Sequence, residues 1–234
     1  MSYYILWNLE RDLMETLQLV MSPLLLTLKI ATISTFFVAV LGILIAYLLA
    51  KREFTGKWLA DVLLTLPLVL PPTVTGYILV ILLGKNGVIG SIFSTVTGSG
   101  ILFTWQAAAI AAFVVSLPLM VKTASSSIGA VDRSVEEAAC ILGRSEFETA
   151  LFITLPLAKK GIIAGCVLSF ARAVGEFGAT LMVAGNIQGK TSTMPLSIYG
   201  AYQAGNNELA NLLVIILIAI SLITIAATSK LGEQ

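Results

Sequence analysis

Apolar positions in this chain come in long uninterrupted runs. Residues 30–50, 62–84, 101–121 and 209–229 each hold 21 to 23 positions without a charged side chain, and 21–28 extends the first run outward past Lys29. A further run, 161–185, is interrupted only by Arg172 and Glu176. A hydrocarbon core ~30 Å thick is crossed by about 20 helical residues. Backbone groups inside it find no water to bond, so each run must be helical. The pattern predicts five transmembrane helices, at about 22–50, 60–83, 101–122, 157–185 and 208–230. Together they form one domain over 1–234.

The polar stretches between the runs are not equivalent. Nine basic residues (Lys51, Arg52, Lys57, Lys122, Arg133, Arg144, Lys159, Lys160 and Lys230) fall in one set of connections. The other set holds Arg11, Lys85 and Lys190, with Lys29 near that side. Basic excess marks the cytoplasmic face, which predicts an outside N-terminus and a cytoplasmic C-terminus. Before the first run, Leu6, Leu9, Leu13 and Leu17 recur at helical spacing among charges, which predicts a short amphipathic helix on the outer surface over 1–20. The same charges, and the lack of a basic start, argue against a cleaved signal peptide. The connection 84–100, rich in Gly, Ser and Thr, is expected to turn outside.

The connection 122–160 is too long for a turn and is patterned. Around 131–139, Asp132 or Ser134 serves as N-cap with acids in the first turn, and Gly143 suits the helix C-terminus. A second short helix is expected from Ser145, with Phe147, Leu151 and Phe152 on one apolar face, ending at Leu155-Pro156. The fold class is thus an all-α, polytopic membrane protein whose cytoplasmic loop, about 131–156, carries two short helices.

Composition agrees and narrows the function classes. Of 234 residues 57% are hydrophobic and 12% charged, half the ~25% of a soluble domain. The partner is therefore the lipid bilayer. A net charge of +1 argues against nucleic acid. Histidine is absent and the only cysteines are Cys140 and Cys166, so metal-site chemistry and a disulfide are not expected. No catalytic constellation is present. The segment 184–191 matches a relaxed phosphate-loop pattern, but it follows an apolar membrane run and precedes Pro195, where no strand–loop–helix cradle can form.

Glu137-Ala138-Ala139, then Gly143, then Ile153-Thr154-Leu155-Pro156, resembles the EAA loop of ABC importer permeases at its full spacing. The runs 66–72, 76–79, 84–90, 169–180 and 185–195 resemble the membrane subunit of molybdate and tungstate importers. Sulfate and thiosulfate permeases share the block Arg172-Ala173-Val174-Gly175-Glu176. The resemblance implies a permease subunit of an inner-membrane importer in a prokaryote. It implies a second copy of the chain as homodimer partner, cytoplasmic ABC ATPase subunits docked on Glu137, Ala138, Ala139, Gly143, Ile153, Leu155 and Pro156, and an extracytoplasmic oxyanion-binding protein. No cofactor is expected on this chain, since ATP and Mg²⁺ belong to the partner ATPase. A sulfate-type permease and an ATP-independent secondary transporter are the alternatives.

Two features inside the apolar runs admit two readings each. Arg172 and Glu176, spaced i, i+4, are either a self-neutralising packing lock or a moderated positive station for an oxyanion. Pro67, Pro71 and Pro72 interrupt the second span. They form either a packed kink or an unwound stretch along the substrate pathway, with Thr73 and Thr75 offering hydroxyls to the anion.

Overall fold

The computed structural model describes the backbone of residues 2–233 and the side chains of Met14 and 16–226. Among the described residues every regular element is helical. Three helices are long and apolar enough to cross a membrane, or five if each of two bent pairs counts as one span.

Helix α1, Ser2–Lys51, is continuous. This corrects the expected separate surface helix over 1–20, although the side chains of Leu6, Leu9 and Leu13 lie outside the described residues. Leu17 is exposed. Pro23 lies within α1 without ending it. Its carbonyl accepts from the Thr27 hydroxyl at 2.8 Å, and that hydroxyl accepts from the Met194 N–H at 2.8 Å. The stretch Thr16–Lys51 rises about 54 Å, more than the hydrocarbon core, so it tilts or reaches the headgroups.

The second run folds as two helices, α2 (Lys57–Val69) and α3 (Pro72–Leu83), whose axes bend by 114°. The break falls inside the span expected at 60–83, where the prolines were expected to interrupt it. The cause is local: residues preceding proline are pushed out of the helical region. Leu70 (ψ 140°) and Pro71 (ψ 138°) are both extended, whereas Pro67 is absorbed inside α2. Helix α4, Val88–Thr97, occupies the connection expected to be a turn, and its Ser and Thr hydroxyls bond back to its own carbonyls.

Helix α5, Trp105–Gly129, is the most buried span and the centre of the bundle. It starts at Thr104, whose hydroxyl caps the Ala107 N–H, and it runs past the expected end at 122 as far as Gly129. Buried alanines at 107, 108, 109, 111 and 112 allow neighbouring backbones to approach closely, which is how helices associate in lipid. Ser34 of α1 donates to the Ala109 carbonyl at 3.2 Å. Met120 fills the far end: a Cβ added to Gly42 of α1 would lie 2.6 Å from its Cγ.

The loop after α5 carries α6 (Arg133–Ile141), α7 (Glu146–Thr149), a π-helical turn (Ala150–Thr154) and α8 (Leu155–Leu157). The chain stays helical through Pro156 and turns at Ala158, later than the expected stop at Leu155-Pro156. It then bends by 72° into α9, Lys159–Val174. The fourth span is interrupted again at residues 175–177, after which α10, Gly178–Ala184, continues. Helix α11, Met194–Gln203, and α12, Asn207–Glu233, complete the chain.

Candidate functional site

Two regions contain the residues singled out in the sequence. The first is the loop formed by α6, α7 and the π turn. Its helices form where their caps allow. The Asp132 carboxylate accepts the Ser134 N–H at 2.9 Å. At Ser145 the capping is reciprocal: its hydroxyl accepts the Glu148 N–H at 3.3 Å, and its own N–H donates to Glu148 Oε2 at 2.9 Å. Donation by the Ser134 backbone N–H holds the Asp132 carboxyl below its usual range, and donation by the Ser145 N–H does the same for Glu148. Between the helices Gly143 sits at φ +88°, a left-handed conformation that disfavours any side chain.

The loop presents a consistent outer face. Glu137, Ala138 and Gly143 are exposed, Ile141 and Leu142 are each 85% exposed, and Phe147 is 76% exposed. Ala139 is buried, Ile153 and Leu155 are half-buried, and Pro156 is exposed. One residue missed in the sequence holds the loop from beneath. Glu136 Oε2 pairs with Lys51 Nζ at 2.8 Å, and Oε1 accepts the Thr154 hydroxyl at 2.6 Å. Nothing in the local sequence separates Glu136 from the adjacent Glu137, since only the burial of Ala139 one turn on shows which face is inward. Arg52–Glu146 and Lys122–Asp61 (2.6 Å) are further, exposed ion pairs at this end of the bundle.

The second region joins the two helix breaks. Helix α10 packs on α3 through glycines: a Cβ on Gly178 would lie 2.5 Å from Pro72 Cβ, and one on Gly76 would lie 3.0 Å from the Ala179 Cα. This contact brings Pro71, Pro72, Thr73 and Thr75 next to the interruption that follows Arg172. Glu176 is 2% exposed at the side chain and lies beyond the end of α9, which corrects the picture of a pair on one helix face. Its Oε2 pairs with Arg172 Nη1 at 2.8 Å, and its Oε1 accepts the Ala179 N–H at 2.8 Å, closing the first turn of α10. Arg172 remains 30% exposed. Thr73 is exposed, whereas the Thr75 hydroxyl is buried without a hydrogen-bond partner.

At the end of α1 away from the loop, a cleft of about 810 Å³ opens between α1, α11 and α12, lined by Gln18, Ser22, Asn186, Ser192, Ser197 and Asn206 among others. Ser22 and Lys51 are about 40 Å apart along α1, close to the full thickness of a bilayer. Among the described residues no cluster of His, Cys, Asp and Glu is arranged to hold a metal ion.

The sequence pattern of the family described as "Binding-protein-dependent transport system inner membrane component" matches residues 39–231. The chain belongs to this family. It is a multi-pass membrane protein and a transport component, not an enzyme. It is 42% identical over 210 residues to the molybdenum transport system permease protein ModB of Escherichia coli K12, covering 89% of this chain and 92% of that one. It is 33% identical over 225 residues to the sulfate transport system permease protein CysW of Synechococcus elongatus, covering 96% of this chain and 76% of that one. Among solved structures, a bacterial ABC transporter for import of the acidic polysaccharide alginate superposes with a TM-score of 0.73 at 15% identity, covering 91% of this chain and 78% of that one, a likeness of fold.

Proposed function

We propose that the chain is the permease subunit of an ABC importer that brings molybdate or tungstate into the cell. Two copies would line the pathway, each loop 131–156 would face the cytoplasm, and the N-terminus would lie outside. A separate ATPase supplies the energy by docking on the outer face of α6 and α7. Glu137, Ala138 and Gly143 form the helix–turn edge of that dock, while Ile141, Leu142 and Phe147 supply its apolar knobs.

The observation that carries this reading is the loop itself. Two capped helices turn about a left-handed glycine and hold three large apolar side chains outward, where nothing among the described residues covers them. Such a surface calls for a partner. The substrate assignment leans on the similarity to ModB. At the junction of the breaks, Arg172 supplies a positive charge moderated by Glu176, and Thr75 holds a spare hydroxyl, a combination suited to an oxyanion that must also be released. The cleft at the far end, which mixes polar side chains such as Gln18, Ser22 and Asn186 with apolar ones, is the surface to which an oxyanion-binding protein would deliver. No cofactor is bound by this chain in the proposal, ATP and Mg²⁺ being held by the ATPase.

The test is uptake of labelled molybdate into proteoliposomes holding this subunit, its copurifying ATPase and its binding protein. ATP-dependent uptake blocked by tungstate and not by sulfate is expected. Competition by sulfate moves the substrate to the sulfate branch represented by CysW, and uptake without ATP refutes the importer reading.

A further inference from the structure

The coupling loop is joined through the chain to α5 on one side and to α9 on the other, but α1 has no covalent link to it. We infer that Glu136 is a positioning residue that fastens the loop to α1, so that displacement of α6 is delivered to the first span. The inference rests on the loop being the ATPase dock.

Glu136 uses both carboxylate oxygens, and each reaches a different element. One pairs with Lys51 at the last residue of α1, and the other takes the hydroxyl of Thr154 in the π turn. Lys51 also donates to the Val131 carbonyl at 3.4 Å, drawing in the segment that leads to α6. The three side chains are shielded: Lys51 is 12% and Glu136 17% exposed, and Thr154 is fully buried. A shielded, charge-assisted network holds its geometry far better than the neighbouring exposed Arg52–Glu146 pair.

Packing alone does not do this job on one side of the joint. An open groove of about 670 Å³ lies between Ile43, Leu44 and Leu48 of α1 and Phe147, Leu151 and Leu155 of the loop. The π turn adds a reason for the geometry. There the Leu155 N–H reaches back five residues to the Ala150 carbonyl, and Thr154 is carried at its end, in reach of Glu136. Glu136 sits in the first turn of α6, while Ile141 and Leu142 stand free at the other end. A push on the free end therefore acts on a lever whose anchored end is tied to α1. Helix α1 then runs unbroken for about 40 Å to the cleft at Ser22, unlike the second span, bent between α2 and α3, and the fourth, bent where α8 meets α9.

The experiment uses the reconstituted complex and reads molybdate ions taken up per ATP hydrolysed, a ratio that lowered expression or stability leaves unchanged. For Glu136→Gln, the ATPase still copurifies and hydrolyses ATP, and the ratio falls roughly ten-fold, the factor that losing one charge-assisted hydrogen bond makes in a two-state equilibrium. The exchanged pair Lys51→Glu with Glu136→Lys restores most of the ratio. Thr154→Ser retains it and Thr154→Val lowers it. If Glu136→Gln does not assemble, the exchanged pair decides: a coupled complex supports the joint. Failure of both to assemble makes the network a folding element and overturns it, as does an unchanged ratio in Glu136→Gln. Wild-type uptake that needs no ATP is a separate result, which removes the importer reading itself.

Discussion

Replacing Glu176 by alanine removes two bonds at once. The Ala179 N–H, which donates at 2.8 Å in the first turn of α10, loses its acceptor in a setting where the Glu176 side chain is only 2% exposed. An unsatisfied buried N–H costs about 1–3 kcal/mol. Arg172 loses its counter-charge, but its 30% exposure lets solvent take over part of that role, so this loss is limited to about 1 kcal/mol. The total is about 2–4 kcal/mol. For a chain of this size each kcal/mol lowers the melting temperature by roughly 2–4 °C, so the fall is on the order of 10 °C. Glu176→Gln keeps an acceptor for Ala179 and gives up only the charge, so its fall is about a third as large. The assay is thermal unfolding of the detergent-solubilised protein, followed by size-exclusion fluorescence. A Glu176→Ala melt within a degree of wild type would refute the reasoning, and so would equal shifts for Ala and Gln, because the helix-closing role would then be void.

Close approach of α9 to α5 gives a paired test: a Cβ on Gly161 would fall 1.6 Å from Ser127 Oγ. Gly161→Ala is expected to cost about 1–3 kcal/mol in the same melting assay, most of it recovered in combination with Ser127→Gly. At Gly143, φ +88° makes Gly143→Val cost about 1–2 kcal/mol locally. The expected result is loss of ATPase copurification with membrane insertion unchanged. The capping carboxyls predict a pH effect. Asp132 and Glu148 titrate lower in the folded loop than when unfolded. Their stabilisation is therefore complete above the usual carboxylate range and lost as pH falls through their lowered values. Amide-exchange protection over 133–149 should drop in that acid window, and Glu148→Gln should already show reduced protection at α7 at neutral pH.

Some of these features were readable from the chain. Asp132 and Ser145 cap where the pattern placed helix starts, because a cap needs only a side-chain oxygen within three residues of a free N–H. The EAA-like spacing brought the family into view without any structure. Other features were hidden. Glu136 and Glu137 are adjacent and identical, and only their angle about the helix decides that one meets Lys51 and the other faces outward. Uncharged runs at 62–84 and 161–185 gave no measure of where a helix would stop. Proline at 71 and 72 marked one interruption, but the one at 175–177 carries no proline and depends on Glu176 closing a new turn. The sequence also suggested a stop near residue 20 in α1 that does not exist, since charges at a helix surface do not end it.

By itself, then, the sequence determined the solvent, the helical class, the caps and the kin. These follow from composition and from bonds that span four residues or fewer, or from matching patterns along the chain. Tertiary structure alone decided which side chain of each pair turns inward, where spans bend, and that the two breaks meet through Gly178 and Pro72. Those outcomes depend on what lies across the bundle, 85 residues away for Glu136 and Lys51 and over a hundred for Gly178 and Pro72, and no local pattern encodes the distance between such positions.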